Sequence, residues 1–265
     1  MSAPLLDVAD LTIDHHRAEG RNTRAVDGVS FTLRPGEALV LLGESGSGKT
    51  SVARAVLGLS ARSARATGRI ALDGVDLRTL DERALSAIRG RRIGYVPQDP
   101  TGSLDPLRRI GTQLAEVLRR HGAADGRRAA RAAVPALLEA AGIDDPDRVA
   151  RSFPHELSGG LRQRAAIAIA VCCEPQLLVA DEPTTALDAL VRAQVLDLFA
   201  GLRAERGIAL LLVTHDLAVA RRTGGRVAVM RFGRVVECGT AEQVLDRPDH
   251  PFTAELVAAQ PGARR

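Results

Sequence analysis

The sequence predicts an α/β fold: a core built on a mostly parallel sheet, with an N-terminal antiparallel β subdomain and an inserted α-helical subdomain. Three observations predict it. Short, wholly apolar runs at Ala38 to Leu42, Leu177 to Ala180 and Ile208 to Val213 read as strands buried on both faces, the mark of a parallel sheet. Leu5 to Ile13 and Ala25 to Leu33 instead alternate in the manner of antiparallel strands, with Asp27-Gly28 and Pro35-Gly36 as turn signals. From Leu107 to about Val171 helical periodicity takes over, which gives one domain over residues 1–247, a helical subdomain over about 107–171, and a short tail over 248–265.

Taken in order, Ala38 to Leu42 is followed by a glycine-rich stretch and then by Thr50 to Leu59, apolar at helical spacing. Arg69 to Leu72 reads as a strand, Arg83 to Ile88 as a short helix, and Ile93 to Val96 as a strand running into Pro97-Gln98. Ile110 to Arg120, Arg127 to Ala141 and Arg162 to Val171 are the helices of the insert, with Gly or Pro between them. Leu190 to Arg206 is an amphipathic helix between two buried strands. Arg226 to Arg231 and Arg234 to Glu237 form a hairpin pivoting near Gly233, and the stretch from Pro248 onward is a short appendage.

The 265 residues, 45% of them hydrophobic, suffice for a full core and exclude a disordered chain. A formal charge of +4 from 36 basic and 32 acidic residues describes a mixed surface, which permits nucleic acid without demanding it. The adjacent Cys172 and Cys173 and the distant Cys238 form no C-x-x-C arrangement, and read as small core residues. The longest apolar run, Ala165 to Cys173, is far short of the ~20 residues needed to span a bilayer, so association with a membrane is expected through a partner.

Of the 36 basic residues only Lys49 is a lysine. It sits in Gly43-Glu44-Ser45-Gly46-Ser47-Gly48-Lys49-Thr50, the G-x-x-x-x-G-K-[ST] pattern, with Ser51 directly behind. In that pattern loop amides converge on phosphates, a lysine reaches the terminal ones and a hydroxyl ligates Mg²⁺, which makes a P-loop NTPase core that binds a nucleoside triphosphate. An ammonium is a compact point charge and a guanidinium a wide planar fork, so arginine is no substitute in a loop that wraps a phosphate closely. Leu177-Leu178-Val179-Ala180-Asp181-Glu182-Pro183 ends a strand in two acids, the first suited to hold Mg²⁺ and the second to take a proton from water. In Leu157-Ser158-Gly159-Gly160-Leu161-Arg162-Gln163-Arg164, a serine and two glycines open a helix, either as a plain N-cap or as an anion site.

These segments resemble, in the same order, the ATP-binding subunits of ABC transporters. Gly43 to Thr50 matches the family's Walker A, Gln98 its Q-loop, Leu157 to Leu161 its signature, Leu177 to Glu182 its Walker B, Ala186-Leu187-Asp188 its D-loop and His215 its switch histidine. The resemblance implies that Lys49 and the loop amides hold the β/γ-phosphates of ATP, while Thr50, Gln98 and Asp181 surround Mg²⁺. It further implies Glu182 as general base, His215 on the γ-phosphate and Asp188 as a link across a dimer. Ser158, Gly159 and Gly160 are implied to meet the nucleotide held by a second ATPase subunit, identical or paralogous. Where the family places an aromatic residue after the first strand, this chain has Ile13-Asp14-His15-His16, so His15 either stacks on adenine in its place or merely ends the strand.

Tyr95-Val96-Pro97-Gln98-Asp99-Pro100, Ser103-Leu104-Asp105-Pro106, His250-Pro251-Phe252-Thr253 and Ala258-Ala259-Gln260-Pro261 are similar to the ATPase subunits of oligopeptide, dipeptide and nickel importers, Phe252 replacing a more usual tyrosine. That group implies transmembrane permease subunits as partners, an extracytoplasmic solute-binding protein acting indirectly, and a peripheral place on the cytoplasmic face of the plasma membrane. A tail ending at Arg265 leans the expected cargo toward metal or metal chelates within that group. The alternatives are the ATPase of an exporter, or a non-transport ABC ATPase acting on nucleic acid. The latter usually shows tandem nucleotide domains, a coiled-coil insertion or zinc cysteines, and no nucleic-acid partner is expected here. A binding module without catalysis is disfavoured by the presence of both Glu182 and His215.

Overall fold

A computed structural model describes residues 3–16, 22–60, 63–185 and 187–259. Strands β1 (Leu6–His16), β2 (Asn22–Leu33) and β3 (Ala38–Leu42) lead into α1 (Lys49–Val56). Next come β4 (Ala64–Leu72), β5 (Val75–Asp76), α2 (Glu82–Ile88) and β6 (Ile93–Val96). Helices α3 (Pro100–Ser103), α4 (Ile110–Arg120), α5 (Gly126–Ala140), α6 (Pro146–Arg151) and α7 (Gly159–Val171) precede β7 (Leu177–Asp181). The chain continues through α8 (Ala189–Arg206), β8 (Ala209–Thr214), α9 (Leu217–Thr223), β9 (Arg226–Arg231), β10 (Arg234–Thr240), α10 (Ala241–Asp246) and α11 (Pro251–Ala259). Two compact units result, one from Met1–Leu85 with Ala209–Arg265 and the other from Ser86–Ile208.

In the first unit, β3 lies between two parallel neighbours, β8 and β9, and β9 turns back antiparallel into β10. All five residues of β3 and all six of β8 are buried, as expected of strands covered on both faces. The register pairs Leu42 with Thr214, so the residues that follow, Gly43 and His215, leave their strands at the same end of the sheet. A second sheet of this unit, ordered β2, β1, β4, β5, is antiparallel throughout.

In the second unit, β6 and β7 pair in parallel with Val96 opposite Ala180, which brings Gln98 and the acids at Asp181 and Glu182 to one end. Its helices close on an apolar cluster. Ile110, Leu114 and Leu118 face it from α4, and Ala130, Val134 and Leu138 from α5, each set at four-residue spacing that keeps one helix face inward. From α7, Ala165, Ala168 and Cys172 join them.

Several elements depart from expectation. Strand β4 starts at Ala64, because pairing with β1 continues as far as His15 opposite Ala64 through residues whose exposure leaves no apolar pattern to read. Helix α7 starts at Gly159 instead of Arg162, since Ser158 caps it and glycine gives no propensity signal there. Helix α1 stops at Val56 instead of Leu59, ahead of Gly58 in a left-handed conformation. Short helices at α3, α6, α9 and α10 were not expected, having too few turns for a period to show. The tail forms α11, with Phe252 and Thr253 buried. Gln260 and Pro261 of the tail motif lie outside the described residues. Cys172 is buried, Cys173 half-buried and Cys238 exposed, which corrects the expectation that all three are core residues: Cys238 sits on the weakly covered β10. Among the described residues no helix is long and apolar enough to cross a membrane.

Candidate functional site

The phosphate loop of the first unit is shaped by close backbone approach. A Cβ on Gly43 would lie 2.3 Å from the Met230 carbonyl oxygen, and one on Gly48 2.3 Å from that of Ala25. Gly48 also has φ 103° as the N-cap of α1, a conformation closed to other residues at little cost. At Gly46 a Cβ would meet nothing within 4 Å, so this part of the loop is an open cradle. The Gly233 amide donates to Ser47 O at 3.0 Å, and Asp27 N donates to Gly233 O at 2.8 Å. The hairpin turn and β2 thus buttress the loop from behind. The Asp27 carboxylate binds Arg234 at 2.6 Å, and that hydrogen bond, helped by the Arg234 and Arg24 charges against desolvation, holds its pKa below the ordinary value.

Lys49, 4% exposed, donates from Nζ to Gly43 O at 2.8 Å, to Glu44 O at 2.7 Å and to Ser47 Oγ at 3.4 Å. Three convergent acceptors on one small ammonium suit lysine's three donors. Thr50 and Ser51 are half-buried in the first turn of α1, and Glu44, Ser45 and Gly46 are exposed. His215 is exposed beyond β8, and Asp216 beside it caps α9 by accepting from Ala218 N at 2.7 Å. His15 is half-buried on β1, paired with Thr23 and Ala64, as a strand residue.

In the second unit Asp181, 2% exposed, is the last residue of β7. Glu182 follows at φ 46°, a left-handed conformation that costs a non-glycine residue on the order of 1–3 kcal/mol and clusters at functional sites. Its Oε2 accepts from Gln98 Nε2 at 3.1 Å and from Thr185 Oγ1 at 3.0 Å, so two donors fix the carboxylate. Thr185 was missed by sequence reading, although its hydroxyl three residues beyond the acid is the kind of group that closes such a turn.

Ser158 Oγ accepts from Leu161 N at 3.3 Å as the N-cap of α7. Gly159 is exposed with open space where a side chain would be, and a Cβ on Gly160 would stand 2.8 Å from Val191 Cγ1. Val191 N donates at 2.9 Å to Asp188, the exposed N-cap of α8. The signature and D-loop segments therefore meet through Val191, another residue without a sequence signal. Ala186 lies outside the described residues.

No group of three or more His, Cys, Asp or Glu able to hold a metal occurs among the described residues. The Thr50 hydroxyl in the first unit and the Asp181 carboxylate in the second are each hard oxygens of the kind Mg²⁺ takes, one or two from protein alongside substrate phosphates and water. The open cradle at Gly46 and the loop amides suit a phosphate chain.

The ABC transporter family profile matches residues 26–185. The chain is 46% identical, over 97% of its length, to the peptidoglycan transport ATP-binding protein YejF of Agrobacterium fabrum, of which it covers 47%. It is 43% identical over 98% of its length to the oligopeptide transport ATP-binding protein OppD of Mycobacterium tuberculosis, covering 42% of it. The chain thus spans about half the length of these relatives. It covers 78% of the putative peptide import ATP-binding protein BMEII0863 of Brucella melitensis, at 46% identity over 97% of its own length. Among solved structures, the ATP-binding cassette MJ0796, a dimer bound to ADP and Pi, superposes with a TM-score of 0.79 at 30% identity, over 89% of this chain and 98% of that one. With the profile over most of the chain and close relatives along nearly all of it, this protein belongs to the ABC transporter family.

Proposed function

We propose that the chain is the ATP-hydrolysing subunit of a membrane importer of peptides. The observation that carries this reading is the Glu182 carboxylate, set at φ 46° next to the buried Asp181 and held by Gln98 and Thr185. A strained, oriented carboxylate beside a second acid suits a general base acting on water. In this reading Lys49 and the amides of Gly43 to Thr50 take the β/γ-phosphates, with Thr50, Gln98 and Asp181 toward Mg²⁺. Bound Mg²⁺ supplies charge neutralisation for the transferred phosphoryl group. Glu182 accepts the proton of the attacking water, and His215 orients it against the γ-phosphate.

The exposed Ser158, Gly159 and Asp188 present the second half of the machinery to another ATPase subunit, in keeping with the dimeric cassette that resembles this chain. Permease subunits at the cytoplasmic membrane face receive the resulting motion, and a solute-binding protein delivers cargo to them. Peptides are the cargo class that the names of two of these relatives carry, a third being named for peptidoglycan transport. A nickel or metal-chelate cargo is the alternative within the same importer group. Phosphate release from ATP by the assembled pair of ATPase subunits, this chain with itself or with its paralogue, measured with and without Mg²⁺, tests the reading: no Mg²⁺-dependent hydrolysis by either pair would sink it.

A further inference from the structure

Cys172 and Cys173 stand where α7 gives way to β7, and neither has a role in the site above. The two sulfurs are 3.8 Å apart, and both thiols are free. Cys172 is buried in the helical cluster and donates from Sγ to Ile169 O at 3.2 Å, while Cys173 packs against that cluster half-exposed. A thiol has one proton, so Cys172 can turn it from Ile169 O to a thiolate on its neighbour. That donation, together with the Arg91 guanidinium, holds the Cys173 thiol below the usual range against the opposing effect of desolvation. The same sharing and burial push Cys172 up. One sulfur is therefore the more accessible, and the other, buried beneath it, is already in contact with it.

We propose that Cys172 and Cys173 form a peroxide-reactive dithiol, a modification site in which a hydroperoxide converts the two thiols reversibly to a disulfide. In the first step the Cys173 thiolate attacks a peroxide oxygen: an S–O bond forms, the O–O bond breaks and hydroxide leaves, so sulfur is oxidised to sulfenic acid and peroxide is reduced. In the second, Cys172 Sγ attacks the sulfenic sulfur: the S–S bond forms, the S–O bond breaks, and the Cys172 proton departs with the oxygen as water. Adjacent Cα atoms lie about 3.8 Å apart, shorter than the roughly 4.4–6.8 Å common to disulfides, so the ring is strained and yields readily to thiol reductants. Cys238 supplies an internal contrast, being exposed on β10 with Arg226 Nη2 at 3.6 Å. The site stands apart from the ATPase reading, and thiol mapping reports on it whether or not the protein hydrolyses ATP.

The test treats the reduced, full-length chain with near-equimolar hydrogen peroxide, blocks remaining thiols with iodoacetamide and maps the tryptic peptide running from Ala165 to Arg192. The expected product has lost two hydrogens, carries no alkyl group on either cysteine and recovers both sites after dithiothreitol. Cys238 should remain alkylatable at that dose. Oxidation of Cys238 ahead of the pair, or Cys173 advancing to sulfinic acid while Cys172 is still alkylated, would overturn the proposal. The Cys172→Ala variant should leave a sulfenic acid on Cys173 that dimedone captures; dimedone capture at Cys238 alone would count against Cys173 as the attacking thiol.

Discussion

The phosphate loop and the signature segment both place a glycine-rich turn before a helix, yet their glycines answer to different constraints. At Gly43 and Gly48 the Met230 and Ala25 carbonyls leave no room for a side chain, and the ammonium of Lys49 is enclosed by acceptors of the same loop. At Gly159 nothing lies within 4 Å, whereas a Cβ on Gly160 would stand 2.8 Å from the branched side chain of Val191. Ser158 is exposed and needs only Leu161 N to cap its helix. The loop is thus determined by its own unit, whereas Gly159 of the signature is not required by the fold around it. A dispensable glycine at an exposed helix start is what a surface reserved for a second subunit's nucleotide should have.

The comparison can be broken at several points. Glu182→Gln has the largest expected effect, about 10²–10⁴-fold on turnover with ATP binding kept, because the amide retains the shape and cannot take a proton. Normal phosphate release by that variant as a dimer would remove Glu182 as base. Gly159→Asp comes next: an unchanged melting temperature with hydrolysis lowered about a hundredfold, since a carboxylate would face a phosphate. If the variant unfolds instead, the signature is structural and the contrast fails. Lys49→Arg should weaken ATP binding by about 10–100-fold, the value of a hydrogen bond to a charged group, despite the retained charge. Titration calorimetry giving wild-type affinity would show that the loop tolerates a fork.

Two smaller effects concern stability. Gly48→Ala should cost about 2 kcal/mol in urea unfolding, against roughly 1 kcal/mol for Gly46→Ala, where only backbone conformation objects; equal losses would deny that the Ala25 carbonyl sets the loop. Asp27→Asn has the smallest effect. The folded pKa of Asp27 is lowered, so its contribution is present above the unfolded value of 3.8 and fades as pH falls through the folded value. Wild type and variant melting curves should therefore differ at pH 7 and converge in strong acid.

Much of this was legible beforehand where a segment's chemistry is local. Ile93 to Val96, Ile110 to Arg120 and Arg226 to Arg231 have the boundaries their patterns predict, because burial on a fixed face writes its period into the residues. The early half of β4 was not legible, since its exposed residues are held in a strand by backbone pairing with β1 and by the Arg78 guanidinium, which donates to the Ala66 and Gly68 carbonyls. Thr185 and Val191 escaped notice for a related reason: each matters through what it touches.

By itself the sequence determined the α/β class, the order of the motifs and the lone lysine of the phosphate loop, because these depend on residue type and spacing along the chain. Only the tertiary structure decided that Gln98 and Thr185 hold Glu182, that the Met230 and Ala25 carbonyls mould the loop, and that two thiols meet at the end of α7. Those contacts depend on strand register and on side-chain and backbone positions, which no local pattern encodes.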